Sequence, residues 1–321
     1  MLYLGASLNL TQLRYFAHVV DLKSLTRAAH SLRVSQPALT RQMRLLEAEL
    51  GTSLFFRHRR GVQPTEAGAL LRDRADAILR LLNDTHAEIS KRGNVPTGSI
   101  RIGFPPSIGS LLLAPITTII QDRFPQLTVQ LVEGLSHLLQ EWLLNDRIDL
   151  AIMTALAPNP LLVCHSLYEE DIWMFSKYDG PAKRTKRFSL ADVARNKLIQ
   201  TNRNNVMRIE LEKAAHKEGV PLNVVVEVDG LPVIKELLKC GTGSHVSPYS
   251  AMIGEVMRGE LAGGPIKDLS ISRVMVHRFD RPVSQTVIAI MQIIRDEVQR
   301  IAIESNNAVR PSAPASRRLP P

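Results

Sequence analysis

Gln36, Thr40 and Arg44 recur at every fourth residue of VSQPALTRQMRLLEAELG (34–51), with Arg41 beside them. Side chains at that spacing share one face of a helix. A Gln amide can pair with N6 and N7 of adenine, an Arg guanidinium with O6 and N7 of guanine, and a Thr with a thymine methyl or a phosphate. That is the chemistry of reading base edges in a major groove, where each bidentate pair discriminates by roughly 1–3 kcal/mol. The alternative, an ordinary solvated face, is not excluded by the stripe alone.

The surrounding residues supply the elements that would hold such a stripe in place. Ser35 is a good N-cap, and Pro37 fits a first helical turn, where a missing N–H costs nothing. Leu39, Met43, Leu46 and Leu50 step by 4, 3 and 4 along a second, apolar face. Upstream, SLTRAAHSL (24–32) predicts a short helix whose Ala28 and Ala29 allow another helix to cross closely. Only Arg33, Val34 and Ser35 separate the two, which predicts a helix-turn-helix over about 25–44. After it, SLFFRHRRGVQPT (53–65) predicts a β-hairpin wing carrying Arg57, Arg59 and Arg60 for phosphates or a narrowed minor groove. The candidate nucleic-acid contacts are therefore Ser35, Gln36, Pro37, Thr40, Arg41, Arg44, Arg57, Arg59 and Arg60.

Charge points the same way. Of the formal net charge of +9, residues 1–92 carry +6, residues 93–305 carry zero and residues 306–321 carry +3. A basic head on a neutral body implies an acidic polymer as partner of the head, whereas a merely solubilising excess would be spread evenly. The 321 residues suffice for two or three domains, and no apolar run approaches the ~18 residues of a membrane helix. MLYLGASLNL is a poor signal peptide, and two cysteines, Cys164 and Cys240, make no disulfide framework, so a cytoplasmic location and no membrane partner are expected.

Residues 64–92 contain no Pro or Gly after Gly68 and predict one long helix. Leu71, Ala75, Ile78, Leu82, Thr85 and Ile89 step by 4, 3, 4, 3 and 4, the spacing of a coiled-coil seam. Such a seam needs a partner: a second copy, as the simplest choice, or the chain's own later domain. GNVPTGS (93–99) then reads as a linker. Beyond it, strands at 99–104, 127–133, 148–153, 171–176, 197–201, 223–228, 244–247 and 272–279 alternate with helices near 109–122, 136–145, 204–218 and 230–240, with a final helix over 284–305. That alternation predicts parallel sheets with helices on both faces. The Pro-, Ser- and Arg-rich residues 306–321 are expected to be disordered.

The head, LNLTQLRYFAHVVDLKSLTRAAHSLRVSQPALTRQMRLLEAELGTSLFFRHRRGVQPTEAG, resembles that of the LysR-type transcriptional regulators nearly position by position. Leu13–Phe16, Ser24-Leu-Thr-x-Ala28-Ala29, Val34 to Arg41, Leu45 to Gly51, Leu54-Phe55 and Thr65-Glu-Ala-Gly68 carry the likeness, which is strong over 8–92 and looser to about 305. The resemblance implies a multidomain fold: an all-α winged helix-turn-helix head (8–65), a dimerising linker helix (66–92), and an α/β effector domain (93–305) of two lobes, resembling periplasmic solute-binding proteins. Lobe I would hold about 93–165 and 268–305, and lobe II about 166–267.

Other constellations carry less. GNVPTGS lacks the Lys of a phosphate-binding loop, and GTGSHV (241–246) has only two glycines of a dinucleotide fingerprint and follows a helix. There is no G-x-S-x-G elbow and no metal-ligand spacing among the nine His, so no catalytic residue, metal or cofactor is expected. GFPPSIGSLL places Ser107 just after a strand at an expected helix start, where free N–H groups favour an anion; plain N-capping is the alternative. The resemblance implies that this turn holds an effector carboxylate, and that the strand ends at Ser136, Thr154, Thr201, His245 and Ser247 complete the cleft. Thr201 would face Ser107 from the other lobe, also near a helix N-terminus. Ser247 stands before Pro248 where the family often has an apolar residue. The expected function is a regulator that binds a dyad site in double-stranded DNA as a homodimer or homotetramer under control of a small anionic effector. RNA polymerase is a further partner that this architecture allows. The rival is a cytoplasmic small-molecule receptor or enzyme whose basic head is only an accessory tether.

Overall fold

A computed structural model describes residues 9–58, 61–89, 96, 98–180, 187–281, 283–312, 316 and 317. The chain divides near residue 94 into two compact units.

The first unit begins with α1 (Leu10–Leu22), opened by an Asn9–Gln12 capping box. α2 (Leu25–Ser31) follows, capped by Ser24, and then α3 (Gln36–Leu50), capped by the Ser35 hydroxyl, which accepts from the Ala38 amide at 3.3 Å. In the turn between them Arg33 is left-handed at φ 55°, and Val34 N–H closes on Ala29 O at 3.0 Å. Leu39, Met43 and Leu46 meet Phe16, Val19, Ala28 and Ala29 in one core. Leu50, expected on that apolar face, is exposed, because Gly51 ends the helix there in a left-handed conformation.

The wing is an antiparallel pair, β1 (Phe55–His58) and β2 (Gly61–Pro64), with Phe55 packed on Phe16 at 5.2 Å between ring centroids. Arg59 and Arg60 lie outside the described residues. α4 (Glu66–Ile89) starts where Thr65 Oγ donates to Ser53 O and accepts from Gly68 N–H. Gly68 is required there, since a Cβ would stand 2.1 Å from Leu54 O. Arg72 ties α4 to α1 through Asp21 at 2.8 Å, and also pairs with Asp76. Along the expected seam Leu71 packs on the core of the unit and Ala75 is buried, whereas Ile78 and Leu82 are 39% and 40% exposed. The side chain of Ile89 lies outside the described ones.

The second unit is α/β. In chain order it holds β3 (Gly98–Phe104), α5 (Ala114–Arg123), β4 (Leu127–Glu133), α6 (Ser136–Leu144), β5 (Leu150–Thr154), β6 (Leu162–Lys177), α7 (Leu190–Ala194), β7 (Leu198–Gln200), α8 (Val206–Lys217), β8 (Val224–Glu227), α9 (Leu231–Lys239), β9 (His245–Pro248), α10 (Ile253–Met257), β10 (Leu261–Arg278), α11 (Gln285–Glu304), β11 (Val309–Pro311) and β12 (Ser316–Arg317). The main sheet runs β11-β6-β10-β5-β3-β4, and β7 pairs with β8 separately. β3 is parallel to both β4 and β5, but β10 is antiparallel to β5 and β6. The expected all-parallel arrangement is thus corrected. β6 and β10 are long strands, of 16 and 18 residues, that pass through both lobes, and two such crossings side by side run in opposite directions. Their register shifts between Pro265 and Ser270, opposite Trp173 and Asp171.

Lobe I packs Ile100, Ile102, Ile116, Leu150, Ile152, Met275 and Ile294 between its sheet, α5 and α11, while Ile172, Met174, Leu198, Leu211 and Val246 form a separate cluster in lobe II. The tail departs from its expected disorder. Val309–Pro311 add to β6, Ala308 and Val309 are buried, and Arg310 pairs with Asp171 at 2.6 Å. An unpaired stretch of β6 edge offers that segment backbone hydrogen bonds that its composition does not reveal. Residues 313–315 and 318–321 lie outside the described ones.

Candidate functional site

In the first unit α3 buries one face and presents another. Gln36, Pro37, Arg41 and Arg44 are exposed, Thr40 is half-buried, and neither Arg41 nor Arg44 has an ion-pair partner among the described residues. Ser35 caps the helix on which they stand, its hydroxyl accepting from Ala38 N–H. Arg57 differs. It pairs with Glu47 at 3.1 Å while its side chain stays exposed, and Glu47 also accepts from Leu54 N–H.

In the second unit Ser107, Ser136, Thr154, Thr201, His245 and Ser247 come together around one cavity between the lobes. About 90 Å³ of it is open to the centres of water-sized groups. Leu135, Val206, Met207, Leu231, Ile234 and Ala251 give it apolar walls.

Its charged floor is Arg273, only 1% exposed. Arg273 donates from Nε to Glu170 Oε2 at 3.0 Å, from Nη1 to Thr154 Oγ1 at 2.9 Å and from Nη2 to Ser107 Oγ at 2.8 Å. Glu170, fully buried, accepts from Ser250 N–H at 2.7 Å through its other oxygen. Burial of an ion pair is tolerable only with its remaining lone pairs and protons engaged, and here both partners are.

The hydroxyls around this floor have a common polarity. Ser107 and Thr154 accept from Arg273, and Ser136 Oγ accepts from Thr154 N–H at 3.2 Å. Each hydroxyl carries one proton, and none of these three spends it on an acceptor among the described residues. Ser247 Oγ is buried without a partner among the described residues. Ser107 does not cap a helix. It sits in a 3₁₀ turn, Pro106–Ile108, followed by a wider turn over Gly109–Leu113, because Arg273 claims its oxygen. On the far side Asn205, rather than Thr201, stands at the start of α8, where its Oδ1 accepts from Met207 N–H.

His245 Nδ1 lies 2.7 Å from Ile199 O, and a carbonyl can only accept, so Nδ1 holds the proton. Burial drives the imidazole down to about 4, leaving it neutral with Nε2 as a lone-pair acceptor. Asp229 lines the rim and accepts from Asn202 N–H at 3.0 Å, a bond that holds its carboxyl below the ordinary range.

Sequence reasoning missed Arg273, Glu170, Asn205 and Asp229. The first two had a visible signal: Arg273 ahead of the apolar run VMV (274–276), and Glu169 and Glu170 directly before the apolar residues of DIWMF (171–175). Unsolvated charges in two strands of one sheet imply each other.

Residues 10–69 match the family described as bacterial regulatory helix-turn-helix protein, lysR family, and residues 93–299 match the LysR substrate binding domain. The nitrogen assimilation regulatory protein nac of Klebsiella aerogenes is 28% identical over 303 residues, 93% of this chain and 98% of that protein. Its counterpart in Escherichia coli strain K12 is 29% identical, over 76% of this chain and 79% of that protein. Among solved structures, full-length CbnR complexed with its target DNA is 22% identical at a TM-score of 0.69, over 90% of this chain and 100% of that one. A full-length single-residue variant of OxyR from Pseudomonas aeruginosa is 20% identical at 0.67, over 90% and 94%. At such identities the two structures establish the likeness of fold.

Proposed function

This chain belongs to the LysR family of transcription regulators, with a helix-turn-helix DNA-binding unit and an effector-binding domain, and from that premise we propose that it reads an interrupted dyad in double-stranded DNA as a homodimer or a homotetramer built from two dimers. Members of the family are regulators and not enzymes. The observation that carries the DNA reading is the stripe on a capped helix of exposed Gln36, Arg41 and Arg44 with the half-buried Thr40 among them. Two such helices, related by two-fold symmetry, match half-sites one or more helical turns apart. The exposed Ile78 and Leu82 of α4 support pairing through the linker helix.

The effector reading is that the cleft takes a small molecule carrying a carboxylate or similar oxyanion. Its support is the direction of the hydroxyls: Ser107, Ser136 and Thr154 have their oxygens engaged and protons to give. The arginine is matched by Glu170, so recognition rests on these donors and not on net charge. Effector occupancy would then change how the two DNA-reading heads are presented to the half-sites.

Selection of bound duplexes from a random pool, followed by footprinting, tests the DNA reading: an interrupted dyad whose affinity falls steeply with salt is expected. Recovery of no sequence above the random background overturns it. For the cleft, Ser107→Asp removes one O–H donor and sets a carboxylate where the ligand's own would lie. Calorimetry should show effector binding lost while DNA binding persists, and equal affinity in wild type and variant rules the site out.

A further inference from the structure

Resting on the reading of the cleft as an oxyanion site, we infer that the effector is a small aminocarboxylate, its carboxylate on the lobe I hydroxyls and its ammonium on Asp229 of lobe II. Two charged side chains line the cavity among the described residues, Arg273 and Asp229. Arg273 is in contact with the buried Glu170, so this pair contributes no surplus charge. Asp229 has no ion-pair partner among the described residues, and the surplus charge of the lining is therefore negative.

Hydrogen-bond polarity divides the cleft in the same sense. Lobe I presents the free protons of Ser107, Ser136 and Thr154. The opposite side adds the Asp229 carboxylate and the Nε2 of neutral His245 as acceptors, beside the Thr201 and Ser247 hydroxyls and the Asn205 amide. A plain carboxylate would satisfy the first set and meet the exposed Asp229 carboxylate at the rim with a charge of the same sign. A ligand with an oxyanion at one end and an ammonium at the other satisfies both. Ser247, buried on the cavity wall with its hydroxyl unpartnered among the described residues, marks an additional polar contact that a ligand can make. The apolar part of the wall leaves a place for a small apolar side chain. Leu231, Ile234, Val206 and Met207 would meet that side chain.

Asp229 also lies just ahead of α9, whose positive end an acid complements. The test must separate that structural part from ligand recognition. Asp229→Asn keeps an oxygen to accept from Asn202 N–H, and the unfolding midpoint of the ligand-free variant reports any loss of stability.

The full chain is titrated calorimetrically with the common L-amino acids and short ω-amino acids, each paired with the carboxylate that lacks only its amine. At least one aminocarboxylate should bind ten or more times tighter than its amine-free partner. Asp229→Asn should weaken it about tenfold, leave the amine-free partner unchanged or tighter, and so abolish the difference. If amine-free carboxylates bind as tightly as their partners, and Ser107→Asp abolishes their binding while Asp229→Asn does not, the ammonium contact is wrong and the oxyanion site stands. If neither member of any pair binds, both readings of the cleft fall.

Discussion

Arg273 Nη2 donates to Ser107 Oγ across 2.8 Å, although the two residues are 166 positions apart in the chain. The bond joins a strand that traverses both lobes to the first turn after β3, and it places a buried cation under the cleft. Its counterion is Glu170 on the other traversing strand. Arg273→Met leaves that carboxylate buried and unpaired, which should lower unfolding free energy by about 3–5 kcal/mol. Adding Glu170→Leu should recover most of the loss. Denaturant unfolding of the second unit's transition checks this, and a double variant no more stable than the single one contradicts the pairing.

The reading helix offers a separation of effects. Arg44→Ala and Gln36→Ala should each forfeit about 1–3 kcal/mol of discrimination at one base pair while non-specific affinity persists. Arg57→Ala should alter DNA affinity less than Arg44→Ala, since Arg57 is engaged by Glu47. Binding measured against a set of single-base operator variants distinguishes these outcomes. Unchanged preferences in both Arg44→Ala and Gln36→Ala would remove the helix from base recognition.

The linker helix gives an oligomer test. Ile78→Lys or Leu82→Lys puts an unpaired ammonium into the expected seam, and dissociation of the dimer is the expected result. Both positions are exposed in the single chain, so the folded monomer should tolerate the charge. Sedimentation equilibrium of either variant at the wild-type mass would place the association surface elsewhere.

His245 makes stability depend on pH. Its folded pKa is depressed to about 4 by burial, against an ordinary 6.5, so between those values the unfolded chain binds the extra proton. Stability from this residue is complete above about pH 6.5 and declines as pH falls, by about 2 kcal/mol at pH 5. His165, likewise lowered to about 4 by burial and by the neighbouring charges of His277 and Arg295, adds in the same direction. His245→Asn keeps a donor for Ile199 O and should make the dependence between pH 7 and 5 shallower, leaving the part that His165 contributes. Parallel unfolding curves for wild type and variant over that range would show that His245 does not titrate on unfolding.

The head could be read from sequence because its signals are local. A Ser cap, a Pro in the first turn, periodic leucines and a three-residue turn act within a few residues of one another, and α2, α3 and the wing lie where those signals place them. The α/β character of the second unit was readable for the same reason, since strand and helix periods differ. What the sequence left undecided depends on contacts between distant segments. The antiparallel crossing of β6 and β10, the docking of Val309–Pro311 on an open strand edge, and the capture of Arg57 by Glu47 each rest on a partner that local pattern does not name. The cleft shows this most clearly. Residue types suggested Ser107 as a helix cap or anion contact, but Arg273 arriving from β10 takes its oxygen and leaves it a donor. Hydrogen-bond polarity belongs to an arrangement of several chains of atoms, so folding had to bring Ser107, Thr154, Arg273 and Glu170 together before the cleft had a direction.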